Sequence, residues 1–247
     1  MKIHLINPNT TESMTEQAVI AARSVAASGT KIIGNQPAHG PVSIEGYYDE
    51  VFAVPAMLEQ IQLNNACDGH VIACFDDTGV DAARCIANGP VIGICEAACL
   101  VAGTIANSYS IVTTLRRSVP ALTHLVHKYG AERRCASIRA SDIPVLDLEK
   151  QERAALEQIA EQCRQAIESD GAEAIVLGCA GMTSLTQQLS TQFGLPVIDG
   201  VASAVKHIEG LVSMQPSSSR INGYRTPVAK KYLGDFERFA VMQPDKT

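Results

Sequence analysis

Apolar positions along the chain fall into two alternating patterns. Short unbroken apolar runs, such as Ile3–Ile6 around His4 and Val71–Ala73, are separated by longer stretches in which apolar residues recur every three or four positions. The first pattern reads as strands buried on both faces, the second as helices packed on them, so the chain is α/β with mainly parallel sheets. Strands are predicted at Lys2–Ile6, Lys31–Gly34, the run ending at Cys74, Val91–Ile94, Tyr109–Thr114, Cys135–Ile138, the run ending at Cys179 and Val197–Ile198. Helices are predicted from about Asn9 to Ala27, over Tyr47–Leu63, to Ala87, over Cys95–Ala106, from Ser118 to Gly130, from about Leu148 to Ser169, to Phe193 and to about Leu211. Pro55 should kink or split the second of these. The segment from Pro37 to Gly46 carries turn residues and no period, and should form a lid or pocket wall. The tail at Tyr224–Phe239 has a weak helical pattern that would either pack back on the first half or serve a contact between subunits.

The pattern repeats. Asp68–Gly79 has an echo in Gly171–Ser184, each a short apolar run ending in a cysteine and opening into a helix. A spacing of 105 residues separates Cys74 from Cys179, and 106 separate Pro90 from Pro196 and Asn7 from Thr113. A duplication is the simplest source of three such offsets. It divides the chain into one α/β unit of residues 1–95 plus about 206–247 and a second of 96–205, with the two cysteines facing each other across a cleft at strand C-termini, where open α/β sheets bind ligands.

Composition narrows the function. Of the 247 residues 46% are hydrophobic and 4% aromatic, and the net charge of −6 comes without any basic run, which argues against nucleic acid and membrane surfaces as partners. No stretch is long and apolar enough to cross a bilayer, and Met1-Lys2 leads straight into a strand rather than a signal peptide, so the expected location is the cytoplasm. The eight cysteines are then expected as thiols, with no Cys-x-x-Cys pair and no histidine at zinc spacing, so no metal is expected. Cys67, Cys85, Cys95, Cys99, Cys135 and Cys163 are assigned to packing or surface. No phosphate-cradling glycine loop and no strong pyridoxal-phosphate lysine is present, so the expected chemistry uses no cofactor.

Two facing thiols suit one reaction. A thiolate removes a proton from a carbon acid and the opposite thiol returns one to the other face, inverting the centre. Backbone amides and a helix N-terminus after each cysteine should favour the thiolate. The amides of Phe75-Asp76-Asp77 and Ala180-Gly181-Met182 are candidates for holding the enolate oxygen. Asp76 and Asp77, at a helix start, read first as caps, and Asn9 as a cap that also borders the ligand. Thr113 and Thr114 are strand-end caps or substrate hydroxyls, His4 a packed histidine, and His39 the histidine nearest the proposed pocket loop.

Taken together, Ile6-Asn7-Pro8-Asn9-Thr10, Gly40-Pro41-Val42-Ser43-Ile44-Glu45, Ala73-Cys74-Phe75-Asp76-Asp77, Asp81-Ala82-Ala83-Arg84, Val112-Thr113-Thr114 and Leu177-Gly178-Cys179-Ala180-Gly181-Met182 resemble the aspartate/glutamate racemase superfamily, and within it the hydantoin and allantoin racemase branch. The resemblance implies two pseudo-symmetric flavodoxin-like domains with the active site between them, and a cofactor-independent racemase in a homo-oligomer. It implies Cys74 and Cys179 as the acid–base pair, with substrate contacts from Asn9, Pro41, Ser43, Phe75, Asp76, Thr113, Thr114, Ala180 and Gly181. Racemases of free amino acids commonly carry a threonine just after a cysteine. Phe75 and Ala180 stand there instead, which favours a small neutral hydantoin ring as substrate. Allantoin is preferred on metabolic grounds, with 5-alkyl and 5-aryl hydantoins as the alternative. A maleate isomerase, an arylmalonate decarboxylase-like enzyme and a non-catalytic binding protein are the competing classes.

Overall fold

The computed structural model describes residues 1–150, 153–215 and 217–240. Two parallel four-stranded sheets carry the fold. The first comprises β1 (Lys2–Ile6), β2 (Lys31–Asn35), β3 (Gly69–Ile72) and β4 (Val91–Gly93), and the second β5 (Tyr109–Thr113), β6 (Cys135–Ala140), β7 (Ala174–Gly178) and β8 (Val197–Asp199). Their orders, β2-β1-β3-β4 and β6-β5-β7-β8, are the same order repeated. Hydrogen bonds repeat as well. The His70 amide donates to the Pro90 carbonyl at 2.9 Å, and the Ile175 amide to that of Pro196 at 3.0 Å. The central strands β3 and β7 are buried along their whole length, which is why their sequences are apolar runs rather than alternating ones.

The helices are α1 (Glu12–Val25), α2 (Tyr47–Leu63), α3 (Val80–Ile86), α4 (Ile94–Ile105), α5 (Val119–Lys128), α6 (Arg153–Glu168), α7 (Thr186–Phe193) and α8 (Gly200–Met214). Helix α4 follows the first sheet yet also packs on β7, whereas α8 follows the second sheet and packs on α1, α4 and β3. Ile94, Cys95, Ala98 and Ala102 of α4 meet Val201, Ala204, Val205 and Ile208 of α8 in one apolar core that joins both sheets. Small residues on α4 let the two helices approach closely. Burying a full Ile or Val side chain there contributes roughly 1.5–3 kcal/mol, so this seam holds the two halves firmly.

Three expectations change. Pro55 does not split α2, because the carbonyl it leaves free belongs to Val51, an exposed residue whose backbone water can satisfy. The helix expected from about Leu148 is described over Arg153–Glu168. Leu148 lies in a 3-10 turn, Val145–Lys150, and is buried toward Gly181 in the apolar cluster of the second half, so its apolar character serves that core. The tail forms two short 3-10 turns and lies on the first half. Arg220 donates to the carbonyls of Arg84, Cys85 and Ala87, and Tyr224 bonds Asp81 and Arg84. No helix among the described residues is long and apolar enough to cross a membrane.

Candidate active site

Each cysteine sits just past the end of a central strand, in the same turn. The Asp77 amide donates to the Cys74 carbonyl at 3.0 Å, and the Met182 amide to the Cys179 carbonyl at 3.0 Å. Within those turns the amide two residues on, from Asp76 and from Gly181, is aimed at the sulfur itself. The second amide after each cysteine therefore serves the thiolate, and the third closes the turn. The first, from Phe75 and Ala180, takes neither of these bonds. Thr78 adds a donor on one side only, its hydroxyl lying 3.3 Å from the Cys74 sulfur.

Both cysteines line one cavity in the cleft, together with Asn9, Phe75, Asp76, Thr113, Thr114 and Ala180. Pro41, Ser43 and Gly181, expected to touch substrate, do not line it. The Pro41 carbonyl instead anchors Thr10 by accepting from its amide at 3.0 Å, and Ser43 lies in the same loop beside Ile44, the one residue of that loop which does reach the cavity. Met14, Ser118 and Val145 complete walls that sequence reasoning missed, because nothing in an apolar or capping residue marks it as facing ligand. The free interior is about 30 Å³, room for two or three waters. Bonds join the two halves beside it. Glu45 accepts from the amide of Val145, a wall residue, at 3.0 Å, and the Tyr47 hydroxyl pairs with His124 Nδ1 at 3.0 Å.

Electrostatics correct a second expectation. Burial pushes the Cys74 thiol well above its usual range and the Cys179 thiol up to about 11, more than the amides and Thr78 pull them down. Helix α3 is only seven residues long, and a 3-10 turn, Ala180–Leu185, follows Cys179, so neither cysteine meets a strong helix dipole. At neutral pH a thiol of pKa 11 is ionised to about one part in ten thousand. The resulting thiolate is correspondingly a strong base.

The two aspartates after Cys74 part company. Asp77 is a cap, but of α4 rather than α3, its carboxylate accepting from the Cys95 and Glu96 amides, both at 2.9 Å, and from the Tyr129 hydroxyl at 2.6 Å. Gly93 is required there, since a Cβ on it would lie 2.0 Å from Asp77 Oδ1. Asp76 caps nothing. Its carboxyl faces the cavity and is pushed up to about 7 by burial, then by Glu50 and Asp77. Asn9 splits its side chain, Oδ1 accepting from the Thr11 amide at 2.9 Å while the amide nitrogen meets only Met14 sulfur at 3.6 Å. Thr113 donates to the Gly178 carbonyl at 3.0 Å, a structural bond at the cavity wall. His39 is exposed and outside the cavity, and His4 is fully buried against Asn35 and His70. No cluster able to hold a metal ion exists among the described residues.

Comparison with known proteins places this geometry. The chain is 50% identical over 236 residues to a hydantoin racemase of Rhizobium meliloti, covering 95% of this chain and 98% of that one. It is 42% identical over 241 residues to a hydantoin racemase of a Pseudomonas strain, covering 97% of each. Among solved structures, an allantoin racemase from Klebsiella pneumoniae superposes with a TM-score of 0.94 at 46% identity, over 98% of this chain and all of that one. A glutamate racemase from Francisella tularensis shares the fold alone, with a TM-score of 0.64 at 13% identity. The family described as Asp/Glu/Hydantoin racemase matches residues 3–208, which is most of the chain and includes both cysteine turns, and the chain belongs to that family.

Proposed function

We propose that this protein racemises hydantoins at ring carbon C5, without a cofactor, through Cys74 and Cys179. The C5–H bond is flanked by a carbonyl and a ring nitrogen, so its electron pair can move into the carbonyl as an enolate. One thiolate takes the C5 proton and becomes a thiol. The facing thiol gives its proton to the opposite face and becomes the thiolate. The amides of Phe75 and Ala180 hold the enolate oxygen, and the reverse reaction exchanges the two sulfurs' roles.

One observation carries this reading: two cysteines at equivalent strand ends line a single cavity that has no cationic side chain in its wall among the described residues. A dicarboxylate, as in a maleate isomerase, would meet Asp76 there with no counter-charge. A decarboxylase of the arylmalonate type would face the same problem and would need only one of the thiols. The names of the close relatives support a hydantoin substrate.

The test is decay of the circular dichroism of single hydantoin enantiomers with purified protein and no additive. Cys74→Ser and Cys179→Ser should each reduce racemisation below detection while the melting temperature is retained. Each should still exchange the C5 proton of one enantiomer with deuterium. Undiminished racemisation by either variant refutes the two-thiol mechanism.

A further inference from the structure

The cavity is not symmetric, and its asymmetry has a chemical meaning. The position that holds Gly181 beside Cys179 holds Asp76 beside Cys74, at the same 105-residue offset as the cysteines. Among the described residues the Asp76 carboxylate takes no hydrogen bond and no ion pair, and it lies in the wall of the cavity. Glu50, on the first turn of α2, stands close enough to raise the Asp76 pKa, and its Oε1 is itself buried without a partner. Among the described residues no lysine or arginine lines the cavity to compensate either acid. The wall also carries the apolar side chains of Ile44, Phe75 and Val145 and the neutral polar ones of Asn9, Thr113, Thr114 and Ser118. Asp76 keeps some contact with solvent here, and a ligand that fills the cavity removes that water; N–H donors on the ligand then replace it.

We propose that Asp76, backed by Glu50, reads the substituent on C5 and selects one that bears N–H donors, a ureido group as in allantoin, over alkyl or aryl groups. This rests on the C5-racemase reading above and adds the side-chain specificity to it. An apolar substituent of equal size would desolvate the carboxylate and give it nothing in return, which is how polar sites reject analogues that lack a hydrogen-bonding group. The choice also reaches the chemistry. The Asp76 charge holds both sulfurs' pKa values up, so a donor that takes up that charge eases formation of the thiolate. Discrimination should therefore show in kcat as well as in KM.

The experiment compares allantoin with 5-isobutylhydantoin, whose substituent has as many heavy atoms as the ureido group and no N–H. Wild type should favour allantoin at least 100-fold in kcat/KM. Asp76→Leu should reverse or abolish that ratio. Asp76→Asn, of unchanged shape, should lower kcat/KM for allantoin at least tenfold with a smaller effect on 5-isobutylhydantoin, and it carries the test if the leucine variant does not fold. Glu50→Gln should shift the ratio in the same direction by a few-fold. A wild type that racemises both substrates equally, or a ratio that survives in both Asp76 variants, overturns the assignment of Asp76 while leaving the C5 reaction standing. A wild type that racemises neither hydantoin overturns both.

Discussion

Replacing Thr78 by valine removes one atom's function from the site and little else. The side chain is 1% exposed, and valine fills nearly the same volume. Its hydroxyl, 3.3 Å from the Cys74 sulfur, is the one side-chain donor on either cysteine. A hydrogen bond to a charged acceptor contributes about 1.5–3 kcal/mol, and the long contact to sulfur places this one at the low end. About 1.4 kcal/mol corresponds to one pKa unit, so the Cys74 thiolate becomes about tenfold rarer at any pH below its pKa. Enantiomers have equal free energy, so the equilibrium constant between them is one and kcat/KM must be equal in the two directions. Thr78→Val therefore has to lower kcat/KM equally for both enantiomers, by up to about tenfold since the rarer thiolate is also the stronger base, even though it alters only one base. The asymmetry emerges in C5 deuterium exchange under single-turnover conditions, which should slow for the enantiomer whose proton Cys74 removes. Circular dichroism from each pure enantiomer and mass spectrometry in D2O measure the two quantities. An unchanged kcat/KM with an unchanged melting temperature, or exchange slowed equally for both enantiomers, would refute the role given to this hydroxyl.

Other consequences follow from the same geometry. If the active form carries one thiol and one thiolate, then with burial raising both thiols, Cys179 to about 11, kcat/KM should rise with pH through neutrality and beyond pH 9, with no plateau near 7; a flat profile from pH 6 to 9 would contradict the buried-thiol picture. Asp77→Ala strips the acceptor from two amides and the Tyr129 hydroxyl and should cost about 3 kcal/mol in urea unfolding, with Asp77→Asn recovering part of it. The buried His4–His70 pair sets a pH dependence of stability: His70 stays neutral in the fold down to about 3, while the unfolded chain binds its proton near 6.5. Its contribution is complete above pH 7 and drains as pH falls, so between pH 7 and 5 wild type should lose about 2 kcal/mol relative to His70→Gln; parallel losses in the two proteins would count against it.

The sequence made the sheet content and the cysteine positions readable because burial on both faces demands unbroken apolar runs and duplication preserves offsets. Strand and helix bounds came within a few residues for most elements. What could not be read lies where a residue's role depends on its distant neighbours. Asp76 and Asp77 are adjacent and identical in type, yet one caps a helix that begins seventeen positions later in the chain at Ile94 and the other faces an open interior. Leu148 carries a helical signal but lies in a 3-10 turn packed into the apolar core of the second half. Thiol pKa values depend on how completely the cleft closes, which is set by Glu45–Val145 and Tyr47–His124 contacts between segments far apart in sequence. Thr78 was legible in principle, since Thr183 stands 105 residues after it at the cysteine offset. The two threonines have diverged all the same. Thr183 donates to the Ala180 carbonyl and Asp199 rather than to sulfur.

That divergence is what a racemase built by duplication can tolerate and what it cannot. The proposed reaction needs two bases on opposite faces of one carbon, and two copies of a strand–cysteine turn would supply them with the same amide at each sulfur. Equal rates in the two directions are guaranteed by the equal energies of the enantiomers and place no demand on the site's symmetry. The two halves are therefore free to differ wherever the substrate itself is unsymmetrical. The first half holds Asp76 where the second holds Gly181, and Thr78 donates to sulfur where Thr183 turns to the Ala180 carbonyl. A carboxylate and a donating hydroxyl beside one sulfur have opposite effects on its pKa. Asp76 raises the Cys74 pKa and Thr78 lowers it, so the hydroxyl offsets part of the penalty that a specificity carboxylate imposes on the base beside it. On this account the two residues form a functional pair, and removing Asp76 should make Thr78 less important. The loss on Thr78→Val should be smaller in an Asp76→Asn background than in wild type, and a double-mutant cycle on kcat/KM with a single hydantoin decides it. Additive losses would show that the two residues act independently.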